Sequence, residues 1–125
     1  MPTTILLVDD HPVFRKGLHL LLEEEEDMEV IGEAGDGQAA IDRVRELSPD
    51  VVVMDITMPN FNGIDATRRI VAESPNTRVV ALSIHSGKRF VENMLGAGAA
   101  GYILKLSAPE ELVNGIRAVM RGRCI

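Results

Sequence analysis

The chain has no tryptophan, one tyrosine, three phenylalanines and a single cysteine, Cys124. With aromatics at 3% and hydrophobic residues at 46%, the core must be built from Val, Ile, Leu, Ala and Met. That composition suits a parallel sheet clad in helices. One cysteine excludes an internal disulfide and is compatible with a reducing cytoplasm. No apolar stretch approaches the roughly 20 residues that a bilayer-spanning helix requires. The N-terminus lacks the basic start and apolar middle of a signal peptide, because its short apolar run ends at Asp9-Asp10. The expectation is a cytoplasmic chain with no membrane partner. No linker, low-complexity tract or internal repeat divides the 125 residues, the length of one ordinary domain.

An excess of positive charge is also missing. The net charge is −6 and the pI is near 5.0, so this chain alone is a poor candidate for gripping a phosphodiester backbone. Glu23, Glu24, Glu25, Glu26, Asp27 and Glu29 supply six of the 19 acids, and the remaining 13 equal the 13 lysines and arginines. Charge runs of this kind are usually a solvated helix end and turn. A docking surface for a basic partner is the sharper alternative.

What is present is alternation. Strand candidates run over 4–8, 28–34, 50–54, 78–83 and 101–104, and the aliphatic runs 5–8, 51–54 and 102–104 within them read as buried on both faces. Segments with helical spacing lie between and after them. Val13, Leu18, Leu21 and Leu22 give a face to the first helix, opened by Pro12. Ala40, Ile41, Val44 and Leu47 give one to the second, with Asp36 as N-cap and Ser48-Pro49 as the stop. Ile64, Thr67, Ile70 and Val71 define the third, and Phe90, Val91, Met94 and Leu95 a short fourth. The fifth opens on a capping box, Ser107-Ala108-Pro109-Glu110, and carries Leu112, Val113, Ile116 and Val119. Strand–helix alternation with short connections predicts one doubly wound α/β domain with right-handed crossovers.

Polar residues stand at the strand ends, where open α/β sheets build their sites. They are Asp9 and Asp10, Asp55, Ser83 and Lys105. Asp55 taken alone reads as a strand-terminal aspartate capping a loop. Capping of the first helix would explain one of Asp9 and Asp10, but not both. Three carboxylates in one crevice repel one another unless a cation joins them. Mg²⁺ takes one or two carboxylates, keeps several waters and completes its shell with phosphate oxygens; a backbone carbonyl near Thr57 could add to the set. Asp55 could then be a nucleophile that forms a mixed anhydride with a phosphoryl group. A hydroxyl at Ser83 would hydrogen-bond a phosphate oxygen, and an ammonium at Lys105 would neutralise charge during transfer.

With these residues in hand, the chain resembles the receiver domain of bacterial two-component response regulators. The resemblance rests on Ile5-Leu6-Leu7-Val8-Asp9-Asp10-His11, Met54-Asp55-Ile56-Thr57-Met58-Pro59 with Gly63, Ala81-Leu82-Ser83, and Gly101-Tyr102-Ile103-Leu104-Lys105. It covers essentially the whole chain. Within the family the chain is most similar to the NarL/FixJ (LuxR) type, through Leu82-Ser83-Ile84-His85 and Met120-Arg121-Gly122-Arg123. The resemblance implies a flavodoxin-like (βα)5 fold with a five-stranded parallel sheet of order 2-1-3-4-5, in which the first and third strands are neighbours. It implies that Asp55 accepts a phosphoryl group from a sensor histidine kinase. It also implies Mg²⁺ held by Asp10, Asp55 and the carbonyl of Thr57, with Asp9 acting mostly through metal-bound water. Ser83 and Tyr102 would be the coupled switch residues, and the fourth helix, fifth strand and fifth helix the output surface. The chain would be a phosphorylation-controlled switch, not an enzyme acting on others. Residues 1–125 would be the receiver, with a helix-turn-helix DNA-binding domain absent from this chain, so that DNA is reached only through that domain; a stand-alone receiver is the alternative. Dimerisation is left open.

The family pattern has proline after the lysine; here Leu106 follows. A cis bond before a non-proline costs roughly 2.5–4 kcal/mol, so a trans bond is expected, or else a strained loop. His11 lies beside the acid pair, His19 within a helix, and His85 where it could influence water access to a phosphoryl group. No two histidines have zinc-ligand spacing, and Met54 and Met58 read as packing residues. A haloacid dehalogenase-type phosphatase would want a second acid where Thr57 stands. In a flavin binder, Asp9-Asp10 would repel the cofactor phosphate. Gly32, Gly35 and Gly37 miss the dinucleotide spacing and follow the wrong strand.

Overall fold

A computed structural model of the chain describes residues 2–56, 63–84, 87–107 and 109–122. Its elements run β1 (Thr3–Val8), α1 (Pro12–Glu23), β2 (Met28–Ala34), α2 (Gly37–Leu47), β3 (Val51–Asp55), α3 (Gly63–Glu73), β4 (Arg78–Ser83), α4 (Lys88–Gly96), β5 (Gly101–Leu104) and α5 (Pro109–Met120). All strand pairs are parallel, in the order β2-β1-β3-β4-β5. The sheet is therefore the expected one.

The central strands have no polar alternation because both their faces are covered. Ile5, Leu7, Val51, Val53, Val80 and Leu82 pack on one side with Leu22 of α1 and Leu112, Ile116 and Val119 of α5. Leu6, Val8, Val52, Met54 and Val79 pack on the other with Ala40, Ile41 and Val44 of α2 and Ala66 and Ile70 of α3. Burying one such aliphatic side chain contributes roughly 1.5–3 kcal/mol, so two full layers dominate the stability.

Helix boundaries follow local chemistry. Pro12 opens α1, and the Asp36 side chain accepts from Ala39 N at 2.8 Å to cap α2. Ser48 closes α2 in the left-handed region at φ 47. Gly98 turns α4 into β5 at φ +106, with Val71 against its backbone, so a side chain there would be both strained and crowded. The capping box at Ser107-Ala108-Pro109-Glu110 includes Ala108, which lies outside the described residues.

Two helical faces differ from expectation. Val13 is 88% exposed, because the buried stripe of α1 runs through Phe14, Leu18, Leu21 and Leu22 and leaves Val13 a step of about 100° off it. In α4 only Met94 is buried, against Ala81 and Ala99; these small residues give a shallow seat, and Phe90 and Leu95 stay at the rim. Strand β3 begins at Val51, one residue later than expected, and includes Asp55.

The acidic run is mostly solvent-facing, but it is also tied down. Arg117 of α5 donates to Glu25 at 2.7 Å and to both oxygens of Asp27 at 2.9 Å, pinning α5 to the α1–β2 turn. The Arg117 hydrogen bonds hold the Asp27 carboxyl below its usual range.

Candidate functional site

Strand register brings the polar tips together. Val8 pairs with Met54, so Asp9 and Asp55 leave adjacent strands side by side. Asp55 pairs with Leu82 and Ser83 with Leu104, which sets Ser83 and Lys105 at the same edge. Lys105 N donates to Ser83 O at 2.8 Å and fixes the start of the β5–α5 loop.

The resulting cluster is crowded with charge. Lys105 Nζ donates to Asp55 Oδ2 at 2.8 Å and lies 3.3 Å from Asp9 Oδ2. Asp9, Asp55 and Ser83 are fully buried or nearly so. His11 N donates to Asp9 Oδ1 at 2.8 Å, and His11 Nδ1 stands 2.9 Å from Asp10 Oδ1. Neither aspartate caps α1: its N-cap is His11, which makes no side-chain cap hydrogen bond. Burial would lower the Lys105 ammonium, but the Asp55 hydrogen bond and the charges of Asp55 and Asp9 outweigh it and hold Lys105 above its ordinary value of 10.5.

Asp9, Asp10, His11 and Asp55 each offer a ligand atom within 4.8 Å of the others. Among the described residues, Asp9 Oδ2 and Asp10 Oδ1 are buried oxygens whose contacts with Lys105 Nζ at 3.3 Å and His11 Nδ1 at 2.9 Å lack hydrogen-bond geometry. Buried acceptors left in that state are costly unless something fills the site. The carboxylate oxygens of this set are hard donors of the kind that hold a divalent cation.

Of the expected residues, Asp9, Asp10, Asp55 and Lys105 meet, and Ser83 lines the same edge. Tyr102 is half-buried and packs on Ala81, Met94 and Ala99. Thr57, Met58 and His85 lie outside the described residues. The Lys105–Leu106 bond is trans, as expected, and Leu106 is 92% exposed.

Three participants escape a sequence reading. The Phe14 ring centroid lies 4.5 Å from Lys105 Nζ, a cation–π contact. Arg15 Nη1 donates to the Asp9 carbonyl at 2.6 Å, and Arg15 Nε to Glu33 Oε1 at 2.6 Å. Burial would raise the Glu33 carboxyl, but hydrogen bonds from His19 and Arg15 outweigh it and hold it below its ordinary value. Arg15 stands four residues after His11 and could have been suspected from helical spacing. Glu33 gives no local signal, since its contact spans 18 residues.

A parallel doubly wound sheet that gathers carboxylates and a lysine at its carboxyl edge defines a class: α/β domains with an acidic cluster that could hold a metal ion at the strand tips. The chain belongs to the response regulator receiver domain family, whose model matches residues 5–117. It is 38% identical over 118 residues to the transcriptional regulatory protein DegU of Brevibacillus brevis, covering 94% of this chain and 50% of that protein. A LuxR-family two-component response regulator from Aurantimonas sp. SI85-9A1 superposes with a TM-score of 0.94 at 41% identity, covering 99% of this chain and 89% of that one. The signal receiver domain of the putative response regulator NarL from Mycobacterium tuberculosis gives 0.92 at 34% identity, covering 98% of each chain. The chain is thus a receiver domain of the NarL/FixJ type. It spans about half the length of the full-length relatives it matches.

Proposed function

We propose that the chain is a phosphorylation-operated switch in which Asp55 accepts a phosphoryl group from a sensor histidine kinase. The observation that carries this reading is the Lys105 ammonium 2.8 Å from Asp55 and 3.3 Å from Asp9, beside Asp10. In the transfer, an Asp55 carboxylate oxygen forms a bond to phosphorus as the bond from phosphorus to the donor's imidazole nitrogen breaks. The released imidazole takes up a proton. Lys105 supplies positive charge to the moving phosphoryl oxygens, and the Ser83 hydroxyl donates to one of them. Asp9, Asp10 and Asp55, with the Thr57 carbonyl, would hold Mg²⁺, which neutralises carboxylate and phosphoryl charge when bound.

The output is a shift between two packings, biased by the new hydrogen bond at Ser83 and taken up by Tyr102. Tyr102 packs on the Ala81–Met94–Ala99 cluster, so a change in its position reaches α4. In a longer protein the output would be a DNA-binding domain, as the names of relatives that are transcriptional regulators suggest; a partner-binding receiver is the alternative. Among the described residues no helix is long and apolar enough to cross a membrane. The switch would work in the cytoplasm, where kinase domains and DNA are found.

Incubation with Mg²⁺ and acetyl phosphate should add one phosphoryl group by intact mass, and Asp55→Ala should abolish the addition. Unchanged uptake by that variant defeats the assignment. Lys105→Ala should still take up phosphate but fail to change its partner binding or self-association. A normal response from the phosphorylated variant removes Lys105 from signal transmission.

A further inference from the structure

We infer that Arg15 and Glu33 are a positioning pair for the divalent-cation site, an inference that rests on the metal reading above. The acids at 9 and 10 sit on a loop after β1, and a loop carrying two like charges tends to open. Both polar groups of the Asp9 main chain are held by or through β2. Asp9 N donates to Ala34 O at 3.0 Å, and Asp9 O accepts from Arg15 Nη1 at 2.6 Å. The same guanidinium sends Nε to Glu33 Oε1 at 2.6 Å, one residue before Ala34 on β2. His19 Nδ1, 3.0 Å from Glu33 Oε2, braces the far oxygen of that carboxylate. The Arg15 side chain is only 22% exposed, so solvent competes weakly for these contacts.

One planar fork therefore fixes the loop to its neighbouring strand. A lysine at this position would keep the charge, but it lacks the rigid geometry that serves two acceptors at once. Charge alone cannot explain an arginine here. A guanidinium bonded to the carbonyl of a metal-site residue repels an incoming cation, so electrostatically it should weaken binding. Its contribution is the position it gives to Asp9 and Asp10. Groups that orient metal ligands in this way typically cost about 10–100-fold in affinity when removed.

The opposite signs of the two effects make the test decisive. Mg²⁺ affinity would be measured by titration calorimetry on the wild type, Asp10→Asn, Arg15→Lys, Arg15→Gln and Glu33→Gln, each checked for a cooperative thermal transition. The positioning role predicts that Arg15→Lys and Arg15→Gln both bind about tenfold more weakly, with a smaller loss for Glu33→Gln. A purely electrostatic Arg15 predicts tighter binding in Arg15→Gln and no change in Arg15→Lys. Arg15 variants that match or exceed the wild type, while Asp10→Asn has lost affinity, overturn the inference and leave the metal reading intact. A wild type without Mg²⁺ affinity, or an Asp10→Asn variant that equals it, overturns the metal reading itself. Should Arg15→Gln not fold, Arg15→Lys and the near-isosteric Glu33→Gln carry the test.

Discussion

The two ends of β3 each carry an aspartate and use it in opposite ways. At the entry, Asp50 Oδ2 accepts from Thr4 N at 2.9 Å and from Thr4 Oγ1 at 3.1 Å. Its own N–H donates to Thr4, and its carbonyl accepts from Arg78 N at 2.9 Å. Nearby, Thr77 Oγ1 donates to the Pro49 carbonyl at 2.7 Å. The carboxylate accepts from neutral donors of Thr4 on β1, while the Asp50 carbonyl accepts from Arg78 on β4, so the residue as a whole links three strands. At the exit, Asp55 faces Asp9 and Asp10 with one lysine among them, and buried carboxylate oxygens of Asp9 and Asp10 accept no well-formed hydrogen bond. The entry end is satisfied and contributes stability. The exit end instead gathers like charges around one lysine, an arrangement that a cation could complete. Direction along a parallel sheet explains the asymmetry, because α1 and the helices after it start from the exit edge and turn their positive ends toward it.

The sharpest break of this comparison is chemical. Asp55→Ala should remove all phosphoryl uptake, whereas Asp50→Ala should leave uptake intact in the protein that remains folded; intact mass after acetyl phosphate treatment reads both. The next effect is on stability. Asp50→Ala strands the Thr4 N–H and should destabilise by about 2 kcal/mol, roughly 6–10 °C in Tm. A change below about 0.5 kcal/mol would mean that the entry end is not the strut described. Asp10→Asn should act in the other direction. With chelator present, relief of like-charge repulsion should stabilise by about 1 kcal/mol, and the rise in Tm that Mg²⁺ gives the wild type should be lost. A variant less stable than the wild type in chelator would contradict the picture of a strained exit end.

The smallest effect concerns pH. Lys105 is held above its ordinary 10.5, so its stabilising contribution is complete below that pH and is lost as pH rises through its folded value. The urea midpoint of the wild type relative to Lys105→Met should therefore stay flat through neutral pH and shrink only in the alkaline range above about 10.5. A difference that already shrinks at neutral pH would mean that Lys105 is not the cation that holds the exit end.

Much of this is legible in the sequence. The aliphatic runs marked the central strands because a two-sided parallel strand is apolar at nearly every position, and the edge strand β2 was marked by its alternating Met28, Val30 and Ala34. Asp36 and Pro12 marked helix starts because their chemistry is local. Val13, Phe90 and Leu95 misled, since helical spacing gives a stripe but not its centre, nor how wide a seat the sheet offers. Asp9, Asp10, Asp55 and Lys105 were legible as a site because each sits at a strand tip. Glu33 was not, because nothing within one turn of it reveals that Arg15 would cross from α1 to reach it.

By itself, the order of residues determined where strands and helices form, which faces are apolar, and which polar groups end each strand, since these depend on contacts within a few residues. Only the tertiary structure decided that Asp50 would be satisfied and Asp55 confronted, that Lys105 would stand between two carboxylates, and that Arg15 would hold the loop from behind. Those outcomes depend on register between strands far apart in the chain, and register is settled by packing both faces of the sheet at once.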